Sequence, residues 1–167
     1  DSLASILGFA GFSVAREFYI NDTGNQIENL GRAILWRWFE SRGVAFTQEQ
    51  RIDEDGKPVA WLTCSVDGTA HAFLEKNLYK GAYIKTIVAE LVAEGGPIDA
   101  DRAKRHGVKK LLGEIKADLE TFGVRYDAWQ SEEELHRSGK VDEVLNFLTS
   151  WGLTYSKDGA VYAKFKD

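Results

Sequence analysis

The sequence predicts an α/β fold in which a partial parallel sheet layer, backed by helices, is interrupted by a small hairpin-rich insert. Two strand-like runs, residues 12–20 and 124–129, are rich in β-branched and aromatic residues and lie far apart in the chain. Around them, apolar residues recur at helical spacing. Residues 44–75 fit neither pattern, with turn signals at Asp53-Glu54-Asp55-Gly56 and Val66-Asp67-Gly68-Thr69 between short apolar runs.

In order, Leu3, Ile6, Leu7 and Ala10 predict a helix over 2–10, stopped by Gly11. A strand follows to Ile20. Asn21-Asp22-Thr23-Gly24-Asn25 is then a turn whose Asn21 or Asp22 side chain is suited to cap the next helix. That helix covers 25–41, with Ile27, Leu30, Gly31, Ile34, Leu35 and Trp38 on one stripe and Gly43 beyond its end. Within the insert, residues 59–63 read as a strand. Ile84, Ile87, Val88 and Leu91 mark a further helix, closed by Gly95-Gly96-Pro97. Val108, Leu111, Leu112, Ile115, Leu119 and Phe122 mark another, closed by Gly123. After the second strand, Ser131 and Glu134 form a capping-box pattern. Val141, Val144, Leu145, Leu148 and Trp151 give the last helix, and Ser156-Lys157-Asp158-Gly159 turns a closing hairpin.

The chain has 167 residues, 44% hydrophobic and 28% charged, so it is ordinary globular material: one domain, or one domain with an insert. No apolar run approaches the ~18 residues of a membrane span. The opening Asp1-Ser2-Leu3-Ala4 has no basic stretch of the kind that begins a secretory signal. The sequence contains no methionine and opens directly into a helical apolar pattern, which points to a segment of a longer protein. Cys64 is the only cysteine, which excludes an internal disulfide and a multi-cysteine metal site and fits a reducing, cytoplasmic setting. His71, His106 and His136 show no ligand spacing. A net charge of −5 argues against broad electrostatic capture of RNA and leaves local contacts open.

The most informative stretch is Arg16-Glu17-Phe18-Tyr19-Ile20-Asn21-Asp22-Thr23-Gly24-Asn25-Gln26-Ile27, a strand entering a polar turn at a helix N-terminus. Such a turn offers free backbone N–H groups and side-chain donors and acceptors to an anionic or hydroxylated ligand. The same residues also serve as plain helix caps. Residues 16–31 resemble the segment of arginyl-tRNA synthetases, class I aminoacyl-tRNA synthetases, that follows the ATP-binding HIGH-type helix. Leu78-Tyr79-Lys80-Gly81-Ala82-Tyr83-Ile84 resembles that family's Tyr-x-Gly-x-Tyr-Ile segment. Gly123-Val124-Arg125-Tyr126-Asp127-Ala128-Trp129, with Ser131 and Glu132, resembles its Gly-Val-x-Phe-Asp-x-Trp-x-Ser-Glu stretch, Tyr126 standing where Phe is usual. Gly152-Leu153-Thr154-Tyr155-Ser156-Lys157-Asp158-Gly159-Ala160 resembles an element shared by several class I synthetases, and Lys164-Phe165-Lys166-Asp167 stops short of the family's acidic continuation. The matches are collinear; residues 44–77 match poorly.

The resemblance implies a partial Rossmann-like catalytic domain over 1–43, an insertion over 44–115 (variable and β-rich to 77, helical over 78–115), and a return with strand, helix and hairpin over 116–167. It implies a parent enzyme that joins arginine to tRNA-Arg through arginyl-adenylate, using ATP and Mg²⁺. It also implies that the remaining part of the synthetase is a partner of this segment, with no role for a membrane. The sequence has no His-x-Gly-His and no Lys-x-x-Ser-Lys, so no catalytic residue, metal ligand or bound cofactor is expected in this chain alone. Asp22, Gly24, Asn25 and Gln26 are candidate substrate contacts, Gly24 because it permits close approach or positive φ. Asp127 and Glu132 are candidates because open α/β sheets bind ligands at strand ends. Ser131 and its neighbouring acids read equally as a capped, solvated helix start. Tyr79, Lys80, Tyr83 and Lys85 combine cations with aromatic rings, a pattern suited to RNA. They read equally as an amphipathic helix with the two tyrosine rings packed at i,i+4. The alternative function is a freestanding, non-catalytic tRNA- or protein-binding module derived from a synthetase.

Overall fold

The computed structural model describes residues 1–165; Lys166 and Asp167, and with them the expected stop before an acidic continuation, lie outside the described residues. The chain forms two compact units. One contains Asp1–Asp22 together with the chain from Arg125 onward, and the other is Thr23–Val124.

In the first unit, α1 (Ser2–Phe9) precedes β1 (Glu17–Ile20), which pairs in parallel with β5 (Ala128–Ser131). The register sets Phe18 opposite Trp129 and Ile20 opposite Ser131. Both strands are shorter than the sequence pattern. β1 pairs only where β5 lies beside it, so residues 12–16 join no ladder and carry no regular secondary structure. At the other strand, Val124 N–H closes the preceding helix by donating to Leu119 O at 2.8 Å, which removes it from the sheet. Two short helices follow, α5 (Glu132–Arg137) and α6 (Lys140–Ser150), broken at Gly139, whose φ is +75°. The hairpin β6 (Thr154–Lys157) and β7 (Ala160–Ala163) closes the unit.

In the second unit, α2 (Asn25–Ser41) lies between two clusters of buried side chains. One joins Leu30 and Ile34 to Ile84, Ile87, Val88 and Leu91 of α3 (Ala82–Ala93) and to Ala103 of α4 (Ala100–Thr121). The other joins Ala33, Trp36 and Phe39 to Phe73 on a three-stranded antiparallel meander, β2 (Thr47–Ile52), β3 (Pro58–Val66) and β4 (Thr69–Leu74). This meander is the hairpin-rich insert expected from the sequence. The packing divides the chain differently from the sequence segments: α2, grouped by sequence with residues 1–43, shares its core with the insert and with α3 and α4.

α4 begins eight residues before the first residue of its apolar stripe, Val108. Asp99 accepts a hydrogen bond from Arg102 N–H at 2.7 Å and starts the helix there. The polar run Lys104-Arg105-His106 hides this turn from a hydrophobic pattern, while Ala103 and Gly107 are buried against α2. Two glycines let α2 and α4 cross closely. A Cβ at Gly31 would stand 2.8 Å from Lys104 Cβ and 3.0 Å from Ala100 O, and one at Gly107 would stand 2.5 Å from Ile34 Cδ1. Gly113, also within α4, would meet nothing within 4 Å.

Gly31→Ala therefore lowers stability by about 1–2 kcal/mol, the overpacking exceeding the helix-propensity gain of ~1 kcal/mol. Gly113→Ala raises it by about 0.5–1 kcal/mol. Thermal melts of the two variants should shift in opposite directions.

Candidate functional site

The C-terminal end of the β1–β5 pair is where a parallel α/β layer presents ligands. Tyr19 lies on β1 near that end, and Asp22 follows the strand by two residues. Glu132 opens α5 directly after β5. Partial shielding of the Tyr19 phenol, its hydrogen bond to Glu132, and the negative charges of Glu132 and Asp22 together raise it above the ordinary tyrosine value. Glu132 is about a quarter exposed, 28%, with His136 Nε2 4.0 Å from its Oε1 one turn along α5. The rim is therefore acidic, with Glu132 and Asp22 both close enough to act on the phenol.

The start of α5 is fixed from two directions. Ser131 Oγ accepts from Glu134 N–H at 3.0 Å, the capping expected from the sequence. Asp22 Oδ1 accepts from Glu133 N–H at 2.8 Å, across 111 positions of sequence. The sequence suggested that Asn21 or Asp22 caps the helix just after them. No side chain caps α2, and the Asp22 carboxylate caps α5 instead. Nothing local in the sequence signals that partner.

Asp127 stands at the opposite end of the strand pair. Its Oδ2 accepts from Arg16 N–H at 2.7 Å, while Asp127 N–H and Ala128 N–H donate to Arg16 O at 2.8 and 3.1 Å. Arg16 also reaches Asp1 Oδ1 at 3.1 Å and Ser5 Oγ at 3.3 Å. Phe18, Tyr126 and Trp129 form an aromatic group with ring centroids 4.6 to 5.5 Å apart. Tyr126 thus keeps the ring that Phe would supply.

In the other unit, Gly24 precedes α2 with φ +81° and ψ −175°, a backbone that favours glycine, and its carbonyl accepts from Ile27 and Glu28 N–H at 3.1 Å. Asn25 and Gln26 are exposed on the first turn. Tyr79 and Lys80 precede α3 rather than lying on it, which removes the i,i+4 relation; the Tyr83 ring covers Gly81 instead, where a Cβ would stand 2.4 Å from Cε1. Lys80 Nζ pairs with Glu75 at 2.8 Å. Lys85 is exposed and, among the described residues, has no ion-pair partner.

A cleft of about 410 Å³ between α3 and α4 contains none of the candidate substrate or tRNA contacts proposed from the sequence. Its charges answer one another: Lys110 Nζ lies 2.7 Å from Glu90 and 3.5 Å from Glu114, and His106 Nδ1 lies 3.4 Å from Glu94. The four-residue spacing of Glu90 with Glu94, and of His106 with Lys110 and Glu114, was the available signal. Among the described residues no group of three or more His, Cys, Asp or Glu side chains is placed to hold a metal ion. No helix among them is long and apolar enough to cross a membrane.

Known proteins resemble the chain from end to end. The arginine–tRNA ligase of Caldanaerobacter subterraneus subsp. tengcongensis is 37% identical over 167 residues, covering 98% of this chain and 26% of that protein. The arginine–tRNA ligase of Bacillus pumilus is 35% identical over 175 residues, covering 100% and 27%. The chain is a homologue of arginyl-tRNA synthetases. It spans about a quarter of the length of these curated relatives, 26–27%. A crystal structure from Campylobacter jejuni described as an arginyl-tRNA synthetase shares the fold, with TM-score 0.64 at 22% identity over 97% of this chain and 31% of its own. No family model matches the chain. The parallel pairing of the strands near Tyr19 and Tyr126, required by the synthetase resemblance, is present.

The Lys110 hydrogen bond holds the Glu90 carboxyl below the ordinary glutamate value of 4.5, against a smaller upward push from partial burial. A carboxylate lowered in the folded state contributes stability that is present above its unfolded value and lost as pH falls through the folded one. Acid titration of the melting temperature should therefore steepen below about pH 4.5, and Glu90→Gln should flatten that part of the curve.

Proposed function

We propose that the chain is a segment of the catalytic domain and insertion of an arginine–tRNA ligase, which attaches arginine to tRNA-Arg through arginyl-adenylate. The observation that carries this reading is the match of 98–100% of this chain to about a quarter of the length of arginine–tRNA ligases, 26–27%. Within the segment, Glu132 is a polar substrate contact at the C-terminal end of the parallel pair, beside the Tyr19 phenol.

Asn25 and Gln26, on the exposed first turn of α2, supply donors and acceptors to ribose or backbone groups of the substrates. Lys85, with the half-exposed rings of Tyr79 and Tyr83, is the local tRNA contact; the Lys80 charge is offset by Glu75. ATP and Mg²⁺ belong to the parent reaction. Among the described residues no group of three or more His, Cys, Asp or Glu side chains is placed to hold a metal ion. The remaining part of the synthetase covers the apolar surface that the first unit exposes, including Phe9, Phe12, Phe147 and Trp151.

The pure chain should show no arginine-dependent ATP–pyrophosphate exchange; measurable exchange would refute its dependence on the rest of the enzyme. In a full-length synthetase carrying this segment, Glu132→Gln should lower kcat/KM for aminoacylation about tenfold or more, as expected when a charged hydrogen bond is lost. An unchanged kcat/KM would remove Glu132 from the site.

A further inference from the structure

We propose that His106 is a proton-sensitive latch between α3 and α4: as the doubly protonated imidazolium it joins two carboxylates of α3 that other cations only half occupy. His106 Nε2 lies 3.7 Å from Glu90 Oε2, and Nδ1 lies 3.4 Å from Glu94 Oε1. The second oxygen of each carboxylate is already engaged. Lys110 Nζ is 2.7 Å from Glu90 Oε1, and Arg102 Nη2 is 3.4 Å from Glu94 Oε2. Each ring nitrogen therefore faces a carboxylate oxygen that, among the described residues, has no other ion-pair partner. A neutral imidazole has one N–H and one lone pair, so it sets that lone pair against one of these oxygens. Only the imidazolium donates on both sides. The side chain is mostly shielded, 14% exposed, and its Nε2 is buried with no hydrogen-bond partner. A polar atom left unpaired away from water is costly. At 3.7 Å the Nε2 contact is a gap, which a protonated nitrogen closes to charge-assisted length by a shift of about 0.5–1 Å.

The other charges about the ring have partners of their own or stand at the cleft edge. On α4, Glu114 answers Lys110 at 3.5 Å, and Lys109 lines the same cleft. From α2, Glu28 is engaged by Lys104 at 2.6 Å, and beside His106, at Gly107, α2 presents the apolar Leu30 and Ile34. Of the residue types around the cleft only histidine changes charge near neutral pH. Proton binding favoured by folding contributes stability that is present at lower pH and lost as the folded chain releases the proton. α3 is therefore held to α4 most firmly on the acid side of neutrality, down to the pH at which the carboxylates themselves take up protons.

The experiment uses the whole chain. Nitrogen NMR of the His106 ring at about pH 7 should show a proton on both nitrogens, and Glu94→Gln should leave a proton on only one at the same pH. Melting temperatures are then compared for the wild type and His106→Gln, whose side chain takes up no proton, at about pH 5.5 and about pH 8.5, either side of the ordinary histidine range. At the lower pH the wild type should melt about 2–4 °C above His106→Gln, and at the higher pH the gap should close. A singly protonated wild-type ring at about pH 7 overturns the proposal, and this reading needs no variant to fold. A gap of the same size at both pH values also overturns it, because it assigns His106 to packing alone. So does a doubly protonated ring with no gap at either pH, which shows the proton without the latch, and so does a Glu94→Gln ring that keeps both protons, which removes the bridge.

Discussion

Two aspartates clamp a parallel strand pair only four residues long. Asp127 Oδ2 takes the N–H of Arg16 just before β1, and Asp22 Oδ1 takes the N–H of Glu133 just after β5; each bond spans 111 positions of sequence. Both are charge-assisted, the stronger kind of hydrogen bond. They supply what the ladder alone lacks, because a two-stranded sheet is marginal in water. The register they enforce puts Phe18 beside Trp129 at the aromatic group, and Tyr19 near Glu132 at the other end. Without the clamp, neither the aromatic packing nor the acidic rim has a fixed geometry.

The same two aspartates show how far the sequence can be read. Its motifs singled out Asp22 and Asp127, but as ligand contacts or local caps. A side chain that bonds a backbone N–H 111 residues away leaves no trace in local spacing. Features with a local cause were legible: α2 runs over 25–41 as its apolar stripe requires, the turns at Gly56 and Gly68 join the meander, and Ser131 caps α5. The start of α4 was not, because its first turns are polar and its buried contact with α2 is made by Ala103 and Gly107, which carry almost no hydrophobic signal. Strand ends were misplaced for a related reason: a ladder extends only as far as its partner, and the partner is distant in sequence.

The two units differ in what holds them. The second owns the buried core: every buried hydrophobic among the described residues falls between Leu30 and Ala103. Its α2 is covered on both sides, by α3 and α4 and by the meander, and the close crossing at Gly31 and Gly107 makes that coverage possible. The first unit has no comparable interior. Phe9 is 97% exposed and Trp151 70%. Apolar surface of this extent normally marks contact with something else. Hydrogen bonds contribute only about 0.5–1.5 kcal/mol each, somewhat more when charged, so the clamp cannot substitute for a core. The charged bonds therefore set the direction of the strands and of the start of α5, while the exposed rings form an apolar surface of the kind that marks contact with another body.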